Sequence, residues 1–164
     1  MSLPSWAIPK DWIRLTDKVR SYCDASRPCS LTQQKNKKKY KIIFKHELKK
    51  NMRWLKQVTI IHGKKKMEYK KLKYFQGLFK NEIYKLYATD INQDGYLDLA
   101  LHASSHISKG HHYFYFIYHP KKKVFIQTEE HLPALYSPKK GLLQSRADKT
   151  KYRLDKNYKI VLKK

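Results

Sequence analysis

The stretch that most constrains this 164-residue chain is an acidic nine-residue segment, residues 90–98, which reads Asp-Ile-Asn-Gln-Asp-Gly-Tyr-Leu-Asp. On both sides of it, over residues 83–88 and 97–102, the side chains alternate with a period of two. This period is typical of β-strands, whose successive side chains point to opposite faces. The segment is therefore predicted to join two strands, whereas an EF-hand needs flanking helices.

The spacing of oxygen-bearing side chains within this segment predicts a calcium loop. Calcium binds several oxygen ligands, and a chain that curls round the ion supplies them from alternate positions. Gly95 allows the sharp turn that such a loop needs. Leu101 stands where an EF-hand carries its bidentate glutamate, so that ligand is missing. The expected ligands are Asp90, Asn92, Asp94, the Tyr96 carbonyl and Asp98.

Two explanations of the acidic loop remain open at this point. Its three aspartates repel one another, which destabilises the loop unless a cation neutralises them, with neighbouring lysines able to do part of this. Alternatively, the segment is an ordinary Asn/Asp/Gly hairpin turn with solvated carboxylates. The number of matching positions favours the first explanation, and Ca²⁺ is the expected cofactor.

The net charge of +24 comes mainly from lysine. Residues 35–73 are dense in lysine, with only Glu47 and Glu68 to offset it, and lysines alternate with apolar residues over 39–45. The pattern predicts strands whose lysines face solvent and discourage edge-to-edge aggregation. The alternative is a lysine-rich module that binds a polyanion, either nucleic acid or an acidic glycan, in a salt-sensitive way.

The two cysteines, Cys23 and Cys29, are candidates for a disulfide, with a pair of unlinked thiols as the alternative. A disulfide and a calcium loop both suit a protein outside the cytosol, so a periplasmic or secreted location is expected. Residues 1–6 do not resemble a signal peptide, and this location therefore requires a leader that has been removed. No apolar run is long enough for a membrane span.

The remaining patterns predict a mostly β fold of antiparallel sheets with one short N-terminal helix. The helix is expected over residues 9–23, where apolar side chains recur every three or four residues. Residues 112–119 are apolar on both faces, which is typical of a central strand. We expect one domain, 1–164, in which a helix and linker over residues 1–34 pack on a β domain over residues 35–164.

No pattern in the chain indicates an enzyme. There is no Gly-x-Ser-x-Gly motif, and five glycines leave little scope for a phosphate-binding loop. Five of the eight histidines lie between residues 102 and 119, but the four-residue spacing of His102 and His106 has meaning only on a helix. Residues 103–110 are small and polar, and they are expected to form a loop.

The calcium segment, the sequence that follows it to His106, the aromatic strand and a terminal hairpin together resemble a known family. They are similar to bacterial FG-GAP-like proteins with a single calcium loop, in particular periplasmic immunity proteins that inhibit lysozyme-type toxins of type IV secretion systems. The resemblance covers residues 82–164. It implies a propeller-like or other sheet-rich fold, such as a sandwich or barrel, with export, calcium at the loop and insertion of a surface loop into a lysozyme cleft.

On this chain the resemblance places the inhibitory loop directly after the calcium-anchored strand. A protein of charge +24 is repelled by basic lysozymes, so the partner must be acidic or must be recognised through its carboxylate-lined cleft, which Lys109 complements. The expected function is inhibition of a lysozyme-like cell-wall hydrolase, without catalysis. The expected loop residues are Ser104, Ser105, His106, Lys109 and Gly110.

Overall fold

A computed structural model describes residues 8–73, 75–106 and 110–164, except for the side chains of Ser105 and His106. In this part of the chain every regular element is a β-strand, and every strand pairing is antiparallel. The strands form three sheets, none of which closes on itself. The mostly β, antiparallel fold class is therefore confirmed. No helix of the described residues is long and apolar enough to cross a membrane.

The three sheets follow the chain closely. The middle sheet contains β1 (Ile13–Arg14), β7 (Leu86–Thr89), β8 (Asp98–His106), β9 (Gly110–His119) and β10 (Val124–Gln127) in that order, and β11 (Leu132–Pro133) pairs with β9. The basic sheet contains β2 (Cys29–Thr32), β3 (Lys39–Lys49), β4 (Met52–His62) and β5 (Lys65–Tyr69), and β6 (Leu78–Phe79) pairs with β4. The C-terminal sheet contains β12 (Leu135–Lys139), β13 (Leu142–Ser145), β14 (Lys151–Leu154) and β15 (Ile160–Leu162).

Strand β9 is buried on both faces, as its sequence predicts. Phe114, Phe116 and Tyr118 belong to a core cluster shared with the basic sheet. The alternating residues Tyr115 and Ile117 belong to a second cluster, shared with the C-terminal sheet. The middle sheet is therefore covered on both sides, and β9 contributes to both cores.

The basic sheet shows the alternation expected from its lysines. On β3, Tyr40 and Ile42 are buried against the middle sheet, while Lys39, Lys41 and Lys45 are exposed. The apolar face thus supplies the hydrophobic free energy of packing, and the opposite face carries charge into solvent.

The predicted N-terminal helix is wrong. Residues 13 and 14 form β1 and pair with Ala88 and Tyr87 of β7, and residues 29–32 form β2 of the basic sheet. The apolar residues of the supposed helical face point in different directions. Trp12 packs in the second core, Leu15 packs against the first, and Val19 is 58% exposed. Tertiary packing on two separate cores therefore overrides the local periodicity, and residues 8–34 are integrated into the sheets.

A turn and a disulfide shape the segment that follows β1. The Asp17 carboxylate accepts hydrogen bonds from the backbone N–H groups of Val19 and Arg20, a pattern that competes with helix formation. Cys23 and Cys29 are joined by a disulfide and are fully buried. The Phe44 N–H donates to the Cys23 carbonyl at 2.7 Å, which attaches this segment to β3.

Two buried tyrosine hydroxyls give a matched test of this packing. The Tyr115 hydroxyl donates to the Pro133 carbonyl at 2.8 Å and accepts from the Leu135 N–H at 3.0 Å. Tyr115→Phe should lower the free energy of unfolding by about 1–3 kcal/mol, because both backbone groups lose a partner. The Tyr84 hydroxyl is buried without a hydrogen-bond partner in the described part of the chain. Tyr84→Phe should therefore be neutral or slightly stabilising. Urea unfolding measures both variants, and an equal loss of unfolding free energy in the two would contradict these assignments.

Candidate functional site

The acidic segment, residues 90–98, joins β7 to β8, so the predicted strand–loop–strand arrangement is confirmed. We refer to residues 90–98 as the calcium loop, after the ion that its sequence predicts. The Asp90 carboxylate lies inside the curl of the chain and accepts hydrogen bonds from the N–H groups of Asp94 at 3.1 Å and Gly95 at 2.8 Å. Gly95 has a φ of 88°, a conformation that glycine adopts without steric cost. The chain therefore curls as a calcium-binding sequence requires.

Asp98 connects the calcium loop to the central strand. Its side chain is fully buried, and its carboxylate accepts from the Ile91 N–H at 3.1 Å and from the Tyr118 N–H at 2.8 Å. Burial raises the pKa of Asp98 well above its usual range, and the nearby Asp94 charge adds to the rise, while the Tyr118 and Ile91 N–H groups oppose it. One carboxylate thus joins the loop directly to β9.

Asp94 and Asn92 carry side-chain oxygens that lack a positively charged partner in the loop. Burial raises the pKa of Asp94, and the Asp90 charge adds to the rise, although the Tyr96 N–H donates to Asp94 at 2.9 Å. The Asn92 Oδ1 atom is buried and has no hydrogen-bond partner in the described structure. An acceptor of this kind, beside carboxylates that are costly to ionise, is what a hard cation satisfies.

The calcium loop matches calcium more closely in the type of its oxygen donors than in their arrangement. Carboxylate, amide and carbonyl oxygens are the donors that calcium prefers, and the loop supplies all three types. Within residues 8–73, 75–106 and 110–164, however, no three acidic, histidine or cysteine side chains converge as a metal-binding group. The carboxylates of Asp90 and Asp98 are turned towards backbone N–H groups, as described above. The donor set fits calcium by chemistry, with Asn92 Oδ1 as the unsatisfied acceptor.

The turn between β2 and β3 contacts the calcium loop through Gln33 and Lys35. No local pattern in the sequence predicts this contact. Gln33 is fully buried, and its amide both accepts from the Leu97 N–H at 2.7 Å and donates to the Leu97 carbonyl at 2.8 Å. The Lys35 ammonium donates to the Asp94 carbonyl at 3.4 Å and lies 5.0 Å from the centre of the Tyr96 ring. Lys35 therefore supplies one positive charge at the loop.

The predicted inhibitory loop is largely strand. Strand β8 continues to His106, where Ser104 pairs with His112, Ser105 with His111, and His106 with Gly110 of β9. The expectation of a loop is thus wrong for residues 103–106, which lie in β8, and for Gly110, which begins β9. Lys109 lies outside the described residues, with 107 and 108. We call the described strand residues 102–106 and 110–113 the hairpin end.

Histidines meet in two pairs near the hairpin end. His102 Nε2 lies 3.0 Å from His111 Nδ1, and His112 Nδ1 lies 2.9 Å from His131 Nδ1. Burial, aided by the charges of His111 and Lys85, lowers the pKa of His102 to about 3, and burial also lowers the pKa of His111. His102 and His111 are therefore neutral at neutral pH, and one donates to the other. The sequence analysis did not include His131 in this cluster.

Comparisons of the chain with models of known families, with curated proteins and with solved structures find no match. The resemblance of residues 82–164 to the FG-GAP-like immunity proteins therefore stays a prediction.

Proposed function

We propose that this protein is an exported, calcium-stabilised β protein that inhibits a lysozyme-like cell-wall hydrolase without catalysing a reaction itself. The observation that carries the proposal is the buried Asp98 carboxylate, which holds Ile91 of the calcium loop and Tyr118 of β9 at the same time. An ion that fixes the loop also fixes the two strands that lead to the hairpin end.

Calcium has an electrostatic and a structural part in this proposal. Its charge compensates the aspartates whose ionisation burial disfavours, and it supplies a partner for the buried Asn92 oxygen. The residues that would hold it are Asp90, Asn92, Asp94, the Tyr96 carbonyl and Asp98. Since the disulfide between Cys23 and Cys29 persists in an oxidising compartment, the periplasm or the extracellular space is the proposed location.

The hairpin end is the proposed contact surface for the hydrolase. Strand β8 begins at Asp98 and ends at His106, so loop and hairpin end lie at opposite ends of one strand, about 26 Å apart at the usual rise of a strand. Holding the strand rigid orders the hairpin end before binding and reduces the entropic cost of association. Inhibition is then steric, by occupation of the substrate cleft.

Charge and family resemblance identify the kind of partner. A net charge of +24 favours a cleft lined by carboxylates, and glycoside hydrolases carry a carboxylate pair where they cleave. Lys109 is the residue proposed to meet these carboxylates. The resemblance of residues 82–164 to lysozyme inhibitors supports this class of partner over other acidic proteins.

Calcium should raise the melting temperature of the parent protein, and Asp94→Ala should abolish the effect. At calcium about 100-fold above its Kd, binding adds about 2.7 kcal/mol, which corresponds to a rise of roughly 5–10 °C for a chain of this size. Differential scanning calorimetry in calcium and in chelator measures it. Asp155→Ala is the control, since it removes the carboxylate of a similar aspartate turn outside the calcium loop and should keep the rise. Identical melting of the parent in calcium and chelator would refute calcium binding at this loop.

The protein should inhibit at least one member of a panel of lysozyme-type hydrolases in calcium, and less strongly in chelator. Lys109→Gln should weaken that inhibition by about tenfold, because it removes the charge that meets the cleft carboxylates. Lys121→Gln, at an exposed turn, removes the same charge elsewhere and should leave inhibition unchanged. Lysis assays with purified cell walls measure all three proteins, and the absence of inhibition across the panel would count against the proposal.

A further inference from the structure

A cleft of about 820 Å³ lies on the solvent side of the basic sheet, far along the chain from the calcium loop. One wall is the turn-rich segment 19–28, and the other includes β2, β3 and the end of β4. Four basic side chains line it, Arg20, Arg27, Lys39 and Lys41, and no acidic side chain does. We refer to this feature as the basic cleft.

Within the described residues, none of the four basic side chains of the cleft forms an ion pair. The ion pairs among the described residues join Lys56 to Glu47, Lys66 to Glu68 and Lys159 to Glu129, and none includes a residue of the cleft. Two aspartates lie nearby in the sequence, but their carboxylates accept hydrogen bonds from backbone N–H groups. Asp17 accepts from the Arg20 N–H at 2.8 Å, and Asp24 accepts from the Arg27 N–H at 3.0 Å. These turns hold the backbone at both arginines, and no carboxylate of the described residues lies at ion-pair distance from either guanidinium group.

The wall that carries the arginines is held in place before any ligand arrives. The disulfide between Cys23 and Cys29 closes the segment, and Cys29 pairs with Ile42 of β3. The Cys23 carbonyl accepts a hydrogen bond from the Phe44 N–H. Both ends of the loop 23–29 are attached to the basic sheet, which holds Arg27 in the cleft wall. Arg20 precedes this loop, and its backbone is held by the Asp17 carboxylate and by the Cys29 sulfur, 3.8 Å from the Arg20 carbonyl. The fold therefore meets much of the entropic cost of gathering the basic side chains.

The chemistry of the lining indicates phosphate rather than a base or an apolar group. Guanidinium groups match the geometry of phosphate oxygens in a two-pronged contact, and lysines add unselective positive charge. Tyr40 is the one aromatic residue among the described residues of the lining, and it is 1% exposed, so they offer a nucleobase no ring on which to stack. At about 820 Å³ the cleft is larger than a single phosphate needs, which suits a chain of phosphates.

We infer that the basic cleft binds a polymer with repeated phosphate groups and recognises it through those phosphates, without reading bases. This is a second binding site, independent of the calcium loop and of the hairpin end. Binding should be salt-dependent, because each phosphate that meets a basic side chain releases condensed counterions.

The test uses linear polyphosphate of fixed length as the probe and the full chain as the protein. The double variant Arg20→Gln with Arg27→Gln should weaken binding by about tenfold or more, and should make its dependence on salt concentration less steep. The matched control is Lys121→Gln with Lys122→Gln, which removes two exposed charges from the turn between β9 and β10. The control should change binding by less than about threefold. Circular dichroism establishes that both variants are folded.

Two outcomes would overturn the inference. Equal losses of affinity in the cleft variant and in the control would show that polyphosphate binds the overall charge of +24 and not a site. Tighter binding of oligothymidylate than of polyphosphate with the same number of phosphates, lost in the cleft variant, would show that bases are read and that the ligand is a nucleic acid. Inhibition of hydrolases is measured separately, so failure here leaves the proposed function unaffected.

Discussion

The Asp98 carboxylate has no contact with solvent, yet it accepts hydrogen bonds from backbone groups of both the calcium loop and β9. A carboxylate in such a place is costly unless its charge is compensated, and two N–H groups compensate it only in part. This side chain, at the start of β8, joins Ile91 of the loop to Tyr118 of β9. The proposed calcium ion would offset this cost of folding, because its charge would compensate the buried carboxylate.

The middle sheet carries the calcium loop and the hairpin end on separate parts of one scaffold. Its strand β9 is buried on both faces, with Phe116 in one core and Tyr115 in the other, so the sheet is held from both sides. The calcium loop and the hairpin end lie at opposite ends of β8. The basic cleft lies on the outer face of a different sheet. A partner at the hairpin end and a polyanion in the cleft therefore need not compete.

Much of this fold was predictable from the sequence, and the failures share a cause. Period-two alternation predicted the strands around the calcium loop, and apolar residues on both faces predicted the central position of β9. The predicted helix over residues 9–23 is wrong because Trp12 and Leu15 pack on different cores, which no local pattern reveals. Gln33 was missed for the same reason: its partner, Leu97, lies 64 positions away in the sequence. Pairing of Ser104 with His112 likewise depends on how β9 returns along β8.

Amide hydrogen exchange at Ile91 and Tyr118 tests most directly whether calcium acts on β9 through Asp98. Calcium should slow exchange at both amides, since it holds their shared acceptor in place and in its charged form. The Lys159 amide is the internal reference, because it donates to Asp155 in a similar aspartate turn that is not part of the calcium loop. Slower exchange at Ile91 and Tyr118, beyond any change at Lys159, is the predicted result. Equal rates in saturating calcium and in chelator would contradict the account.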